Sequence, residues 1–580
     1  MRNAQVADLL NKIADLLELK NENAFKIRAY REAARRIEGL PEDVAALADE
    51  GRLREIHGVG ESIAEKVREY LEAGRSAYLE ELEATVAPGI SELLSIPGVG
   101  AKKAQLFFKE LGISTLDQLE EAARSHKLCK LPGFQEKTEE NVLLGIQRLR
   151  RASARLLLGE ALPAAEEVVE LLRPSGDILR VDTCGSIRRM KETIGDIDIL
   201  AASNNPDAAI DAFAALPLVK SILAKGSTKA SVLTHADLQI DLRVVPPEDY
   251  GAALQYFTGS KDHNIQLRGL AERQGLKVNE YGVFRVDTDE RIAGATEEEV
   301  YGALGLSWIP PEMRERRGEI EAAASNSLPK LIEIGDIRGD LHTHTNWSDG
   351  HDSLEAMARA ARDRGYEYLV VSDHSVSMGF IRGLTVERIA EQRREIQLLN
   401  ARMPGFRVLT GIEVNIRSDG SLDYEDEVVS RFDLVTASIH SGFAQSREKI
   451  TSRLIRAIES PHVDVIGHPT GRLIGKRDPY DADMEAVMRA AARAGTALEI
   501  NSQPDRLDLR DSDAHLGKQI GVTFAINSDA HSAGQLGFVR YGAATARRGW
   551  LEKADVLNAM PLAELLKRLK RKAAWRSVSP

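Results

Sequence analysis

Between residues 342 and 531 the chain carries nine of its 13 histidines, and six of them stand at or just beyond the C-terminal end of a short apolar run. They read Asp340-Leu-His342-Thr-His344, Val371-Ser-Asp-His374, Ala437-Ser-Ile-His440, Ile466-Gly-His468 and Asn527-Ser-Asp529-Ala-His531. Asp349 follows in Ser348-Asp349-Gly350, and Glu413 closes Val408-Leu-Thr-Gly-Ile-Glu413. Strand-length apolar runs alternating with helical stretches from Gly335 to Leu569 predict a parallel α/β barrel. In such a barrel every C-terminal strand end opens on one face, so residues far apart in sequence converge. A single histidine on an apolar strand is ordinarily a packed core residue. Six at the same point of successive strands, with three carboxylates, predict a metal rim instead. Imidazoles and carboxylates suit zinc, manganese or iron, and an open coordination position makes water a nucleophile near neutral pH. The same ligands could also persist as a structural staple. His351, His462 and His515 fall outside the pattern, His515 being a candidate for the surrounding shell and Arg472, four residues past His468, a candidate phosphate contact or a plain surface arginine.

A second signature lies upstream, in Gly185-Ser-Ile-Arg-Arg-Met-Lys-Glu-Thr-Ile-Gly195-Asp-Ile-Asp-Ile-Leu200. Carboxylates at i and i+2 of a strand share one face, so Asp196 and Asp198 can hold a pair of divalent cations. Asp241, in the strand-like run Leu238-Gln-Ile-Asp-Leu-Arg-Val-Val245, can add a third carboxylate from a neighbouring strand. Gly185 and Ser186 offer a tight turn and a hydroxyl, and Arg188 and Arg189 offer forked donors for phosphate oxygens. A bare Asp-x-Asp would ordinarily be a solvated strand edge; the combination predicts nucleotidyl transfer.

At 580 residues the chain needs several cores. Residues 1 to about 150 read as helical, with two nearly repeated breaks. Ile56-His-Gly-Val-Gly60 precedes Ser62-Ile-Ala-Glu-Lys-Val67, and Ile96-Pro-Gly-Val-Gly100 precedes Ala101-Lys-Lys-Ala-Gln-Leu106. Each Gly-x-Gly opens a helix whose unpaired N–H groups can hold a phosphate, so Gly58, Gly60, Gly98 and Gly100 are candidate DNA-binding positions. A third break, Leu131-Pro-Gly-Phe-Gln-Glu-Lys137, has Gln135 in place of the second glycine, and no phosphate binding is assigned to it. The net charge of −12, with 22 Lys+Arg against 26 Asp+Glu in residues 1–150, confines nucleic-acid binding to local contacts. No apolar run approaches a membrane span and no signal-peptide core opens the chain, which points to the cytoplasm. Cys129 and Cys184, far apart, read as reduced core residues.

Together with the run Tyr256-Phe-Thr-Gly-Ser260, these motifs resemble the bacterial family X DNA polymerases that carry a C-terminal polymerase-and-histidinol-phosphatase (PHP) domain, over nearly the whole chain. The resemblance implies a multi-domain α+β and α/β protein. Its parts would be a helical domain with the first helix-hairpin-helix (1–80, lyase-like), a second helix-hairpin-helix domain (81–150), a polymerase-beta-like nucleotidyltransferase palm (151–250), a thumb-like nucleotide-selection domain (251–317), a linker (318–335) and a distorted (β/α)7 PHP barrel (336–580). Asp196, Asp198 and Asp241 would hold two Mg²⁺ or Mn²⁺ ions. Gly185, Ser186, Arg189 and Gly195 would meet the triphosphate, Tyr256, Phe257 and Gly259 the sugar, and Asn264 and Arg268 the base pair. Lys261 stands where the vertebrate enzyme has an acidic residue. Lys66 sits where related enzymes carry a Schiff-base lysine, beside Lys26, Arg28 and Tyr30, but Ser62 replaces a family lysine and removes positive charge from that pocket.

In the barrel the resemblance assigns His342, His344, Asp349, His374, Glu413, His440, His468, Asp529 and His531 to as many as three Zn²⁺ or Mn²⁺ ions. The implied activities are gap-filling synthesis in base excision and other DNA repair, and a 3′-5′ exonuclease that could extend to 3′-phosphatase or abasic-site cleavage. Implied partners are gapped or nicked duplex DNA and dNTPs, for a monomer without membrane attachment, associated with the nucleoid. Two alternatives stay open at this point: a DNA-end-binding scaffold with residual catalytic heads, and a nucleotidyltransferase acting on RNA or small molecules.

Overall fold

The computed structural model describes residues 3–569 apart from 21, 39–43, 50, 57, 74–75, 85–89, 95, 97–98, 132–133, 153–154, 237 and 377–381. The chain divides into two compact units, Met1–Ala154 with the short Asp349–Asp352 loop, and Arg155–Ser348 with Ser353–Pro580.

The described residues of the first stretch, to 152, are helical or in turns. The near-repeat seen in the sequence is a repeat of backbone bonding. Val59 N donates to Ile56 O at 3.0 Å and Ala64 N to Gly60 O at 2.9 Å; Val99 N donates to Ile96 O at 2.9 Å and Ala104 N to Gly100 O at 3.1 Å. In both hairpins the intervening valine is buried, which pins the turn to the core while the second glycine caps a helix, Glu61–Ala73 or Ala101–Leu111. Gly58 requires its permissive backbone, with φ +90°. Gly98 lies outside the described residues. The third break repeats the bonds, Phe134 N to Leu131 O and Glu139 N to Gln135 O, so glutamine can open the helix Glu136–Ala152 too.

The second unit begins with a five-stranded sheet in the order Arg180–Thr183, Ile197–Ala202, Gln239–Val245, Lys229–Thr234, Val219–Lys225. Ile197–Ala202 and Gln239–Val245 run parallel and the other pairs antiparallel. The helices Leu158–Leu172 and Pro206–Ala214 bury their apolar residues in the same core as the sheet. The thumb-like segment follows, with helices Tyr250–Thr258 and Lys261–Arg273, a three-stranded antiparallel sheet and the helix Glu297–Ala303. The stretch 318–335, expected as a linker, is packed rather than free. Its helix Glu319–Ala324 places Ile320 and Ala323 in the thumb core, and buried Glu319 sits 2.7 Å from His263 Nδ1.

From Gly339 seven strands follow in chain order, every pair parallel: Gly339–Thr343, Tyr368–Val371, Arg407–Asn415, Leu434–Ser438, Val465–Ile466, Ala497–Asn501 and Phe524–Asn527. A Thr343–Ala530 bridge and the bond from His344 N to Ala530 O close the ring between first and last. Strands buried on both faces explain the continuous apolar runs in the sequence. No helix among the described residues is long and apolar enough to cross a membrane.

Candidate active sites

In the palm, Asp198 and Asp241 are direct register partners on the two parallel strands, while Asp196 precedes its strand by one residue and is exposed. The three interact electrostatically. Burial, then Asp196, then Asp241, raise the Asp198 carboxyl above its ordinary value, against Lys229 and Arg243. Such a concentration of like charge favours a cation beside it. Lys229 Nζ lies 2.8 Å from Asp241 Oδ2, and Gln239 Nε2 donates to Asp241 Oδ1 at 3.0 Å; neither partner was anticipated from sequence. Lys229 has a strand signal alone, and only the antiparallel pairing of Lys229–Thr234 with Gln239–Val245 shows where its amine goes.

Gly185 has φ +60°, and a Cβ there would stand 2.6 Å from Asp198 Oδ2. Glycine is therefore required both by the backbone and by the carboxylate. Gly185→Ala is expected to displace Asp198 and to slow single-nucleotide incorporation by about 10-fold or more, with a local strain cost of about 1–3 kcal/mol. Incorporation at the wild-type rate in a folded variant would show that the site does not depend on this approach.

The arginines of the loop are less available than the sequence suggested. Arg188 donates Nη1 to Thr258 Oγ1 and Glu297 Oε1, both at 2.7 Å, and Nη2 to Glu297 Oε2 at 2.9 Å. Arg314 grips the same Glu297 at 2.7 and 3.0 Å. Burial opposes ionisation, yet the Arg314 and Arg188 guanidiniums hold the Glu297 carboxyl well below its ordinary value. Arg188 is thus committed to joining palm and thumb. Arg189 Nε donates to Glu315 Oε1 at 3.0 Å and Nη1 to Thr258 O at 2.5 Å. A Cβ on Gly259 would lie 3.3 Å from Arg189 Nη1, so Gly259 and Arg189 adjoin.

Ser186 lies in the turn Gly185–Arg188 and Gly195 is exposed beside Arg155. Tyr256 and Phe257 are in edge contact on the helix Tyr250–Thr258, with the Arg243 guanidinium 4.5 Å from the Phe257 ring centre. A small cavity joins Asp198, Asp241, Lys229, Arg243 and Phe257. Asn264 Nδ2 donates to Tyr256 O at 2.8 Å and its Oδ1 accepts from Gln255, locking the two thumb helices; Arg268 is exposed one turn further on.

In the N-terminal unit, Lys66 Nζ is 2.9 Å from Ser62 Oγ and 3.0 Å from Ser62 O, over the Tyr78 ring at 4.6 Å. Burial, and to a lesser degree Lys26, push its ammonium below the ordinary lysine value against Glu65 and Glu69.

The barrel rim gathers residues from six of the seven strands and the loops that follow them. Glu413 is its centre: His374 Nδ1 is 2.9 Å from Oε2, His468 Nε2 is 3.2 Å and His440 Nε2 3.3 Å from Oε1, and His342 and His344 lie 3.5 and 3.7 Å from Oε2. Asp529 Oδ1 is 3.1 Å from His344 Nε2, 3.6 Å from His342 Nε2 and 3.9 Å from His531 Nδ1. Three overlapping groups, His344 with Asp349, His374 and His531, His342 with His344 and Asp529, and His374 with Glu413 and His440, each bring ligand atoms within 4.8 Å of one another. Metal-free, so many lone pairs in a dry rim would be unfavourable; the donor set fits divalent cations of the zinc and manganese type. His468 and Asp529 hold left-handed backbones, φ 28° and 50°, a strain non-glycine residues keep chiefly at functional sites.

Several supporting residues escaped sequence reasoning. Glu499, fully buried, sits 2.7 Å from His342 Nδ1, accepts the His468 amide at 2.6 Å and is braced by Asn527, fixing which imidazole nitrogen faces the rim. Burial works against charge on His342, but Glu499, Asp529 and Glu413 raise it well above the ordinary histidine value, a field that also attracts cations. A lone Glu in the apolar run Leu498-Glu-Ile500 was the available signal. His515 is not at the rim; it packs edge-on against Trp550. Arg472 is not a phosphate contact at the surface either, since its buried guanidinium is bonded to Glu192 and Leu507 O.

Fold and sites define a nucleotidyltransferase palm joined to a metal-dependent phosphoesterase barrel. Family models match for a helix-hairpin-helix domain over residues 1–76, a SAM-like helix-hairpin-helix tandem over 90–148, a DNA polymerase beta thumb over 253–315 and a PHP domain over 340–503. The chain is 40% identical over 573 residues, 98% of its length and 100% of the relative's, to the DNA polymerase/3′-5′ exonuclease PolX of Bacillus subtilis (strain 168). It therefore belongs to the family X DNA polymerases that carry a PHP domain. Over 247 residues, 40% of this chain and 96% of the relative, it is 30% identical to a probable phosphatase of Thermoanaerobacter sp. (strain X514). A probable phosphatase of Shewanella oneidensis is 29% identical over 243 residues, 39% of this chain and 89% of its own length.

Proposed function

We propose that this protein is a DNA-directed DNA polymerase that fills short gaps during repair, including base excision repair, and trims 3′ ends through a second centre in the barrel. The observation that supports the reading is the presence on one chain of register-matched Asp198 and Asp241 beside Asp196, and of the nine-residue histidine and carboxylate rim around Glu413.

In the palm, Asp196, Asp198 and Asp241 would hold Mg²⁺ or Mn²⁺, which supply charge neutralisation at the transferring phosphate and acidity at the primer hydroxyl when bound. Ser186, Gly185 and Gly195 present a hydroxyl and close backbone to the triphosphate. Arg189 sits beside Gly259, and Tyr256 and Phe257 wall the sugar. Asn264 and Arg268 face the base pair from the following helix. In the barrel, His342, His344, Asp349, His374, Glu413, His440, His468, Asp529 and His531 would hold Zn²⁺ or Mn²⁺, up to three ions to judge by the three overlapping groups. The glycine hairpins at Gly58, Gly60, Gly98 and Gly100 grip the DNA backbone without reading sequence. The protein works as a monomer in the bacterial cytoplasm, at the nucleoid.

The test uses a one-nucleotide gap with a labelled primer. Purified protein with Mg²⁺ or Mn²⁺ should add one nucleotide when dNTPs are present and shorten the 3′ end when they are absent, and chelation should stop both. Gap binding without either reaction would favour a scaffold. Lys66, with its depressed ammonium, is the proposed Schiff-base residue for a 5′-deoxyribose phosphate. Borohydride should trap protein on an incised abasic substrate and fail to trap Lys66→Ala; equal trapping in both would remove that role.

A further inference from the structure

The eight residues from Arg188 to Gly195 connect the phosphate-facing turn to Asp196, and the barrel holds them. Arg472, with 3% of its side chain exposed, donates to Glu192 Oε2 at 2.6 Å. Arg548, equally buried, donates Nη1 to the Arg189 carbonyl at 2.6 Å and to Glu315 Oε1 at 3.1 Å, and Nη2 to Asp511 Oδ2 at 2.6 Å. Because Glu315 Oε1 also accepts from Arg189 Nε, Arg189 is held at its backbone by Arg548 and at its guanidinium by a carboxylate that Arg548 shares. Arg317 completes the set, 3.1 Å from Asp511 Oδ2. Burial opposes charge on Asp511, yet Arg548 and Arg317 lower its carboxyl to about 2.

Apolar packing points the same way. Leu507 and Tyr541 of the barrel are buried in one cluster with the palm residues Leu158, Ile187, Ile194 and Ile197. A Cβ on Gly159 of the first palm helix would stand 2.4 Å from the Pro504 Cβ, so backbone meets barrel loop directly. The palm core is closed by residues more than 300 positions away.

We propose that the barrel is a structural part of the synthetic centre: Arg548 and Arg472 are positioning residues that hold the Arg188–Gly195 loop, and so set how Ser186 and Arg189 meet the incoming triphosphate. This rests on the polymerase reading above. It makes nucleotide incorporation depend on the barrel through contacts that play no part in hydrolysis at the rim. Buried, forked arginine bonds give geometry that a point charge does not.

The experiment takes full-length wild type, Glu192→Ala, Glu192→Gln and Arg548→Lys, and measures single-nucleotide incorporation against dNTP concentration, gap affinity, 3′ degradation and thermal unfolding. Glu192→Ala, on the palm side of the contact, should lower kcat/KM for the dNTP by about 10-fold to 100-fold, chiefly through KM, with gap affinity and 3′ degradation unchanged. Glu192→Gln keeps an acceptor for Arg472 and should recover most of that loss. Arg548→Lys keeps the charge but not the fork, and should fall with Glu192→Ala. Wild-type dNTP kinetics in both Glu192→Ala and Arg548→Lys would overturn the inference alone. So would an equal loss of 3′ degradation in Glu192→Ala, which would mark a general folding defect. Absence of incorporation by the wild-type protein would overturn the polymerase reading and this inference with it.

Discussion

Asp198→Ala is expected to abolish nucleotide addition, on the order of 10³-fold or more, while leaving 3′ degradation intact. Asp198 is the carboxylate that sits directly across from Asp241 and couples to Asp196 as well, so its loss removes the charge that a cation pair would share. The thermal behaviour should run opposite to the activity. Asp198 is half-buried among like charges, and in metal-free protein its removal relieves repulsion, so the unfolding temperature should hold or rise. Primer extension on a one-nucleotide gap, with a melt in chelator, reads both. Incorporation within tenfold of wild type would take Asp198 out of the reaction.

The counterpart is His344→Ala, expected to remove 3′ degradation by about 10³-fold while synthesis stays within about twofold of wild type. His344 belongs to two of the three ligand groups and lies between Asp529 and Glu413. Losing it opens two potential metal positions at once, whereas the palm carboxylates stand on a different sheet. Metal content of the purified variant should fall in step with hydrolysis. A variant that still trims 3′ ends at the wild-type rate, or one that loses both reactions, would contradict two independent centres.

The rim was legible in the sequence because strand periodicity and residue chemistry coincide there. Each histidine follows an apolar run, and parallel strands leave no choice about which end opens together. The palm was legible for a similar reason: Asp196 and Asp198 are close in sequence, and Asp241 lies in a run that reads as a strand. The hairpin glycines repeated visibly, although the structure extends the same bonding to Gln135, whose backbone carbonyl accepts as the glycine's does. Less was legible wherever a charged side chain reaches across the fold. Arg188 looked like a phosphate ligand and is bound instead to Glu297, over a hundred residues on; Arg472 looked exposed and is buried against Glu192. The stretch 318–335 was expected as a linker, yet its Glu319 carboxylate is buried against His263. His515, a candidate for the surrounding shell, lies on the helix Asp511–Ile520 and packs against Trp550.

Local patterns by themselves determined which residues could carry the chemistry: alternation set the strands, glycines set the turns, and ligand-type side chains at strand ends marked two candidate cation sites. Tertiary structure alone decided the partners of the long cationic side chains, the bracing of His342 by Glu499 and the closing of the palm core by Leu507 and Tyr541. The physical reason is reach. Backbone periodicity acts over a few residues and leaves its trace in sequence, whereas a guanidinium finds its carboxylate through space, and a position's neighbours in the chain carry no record of that distance.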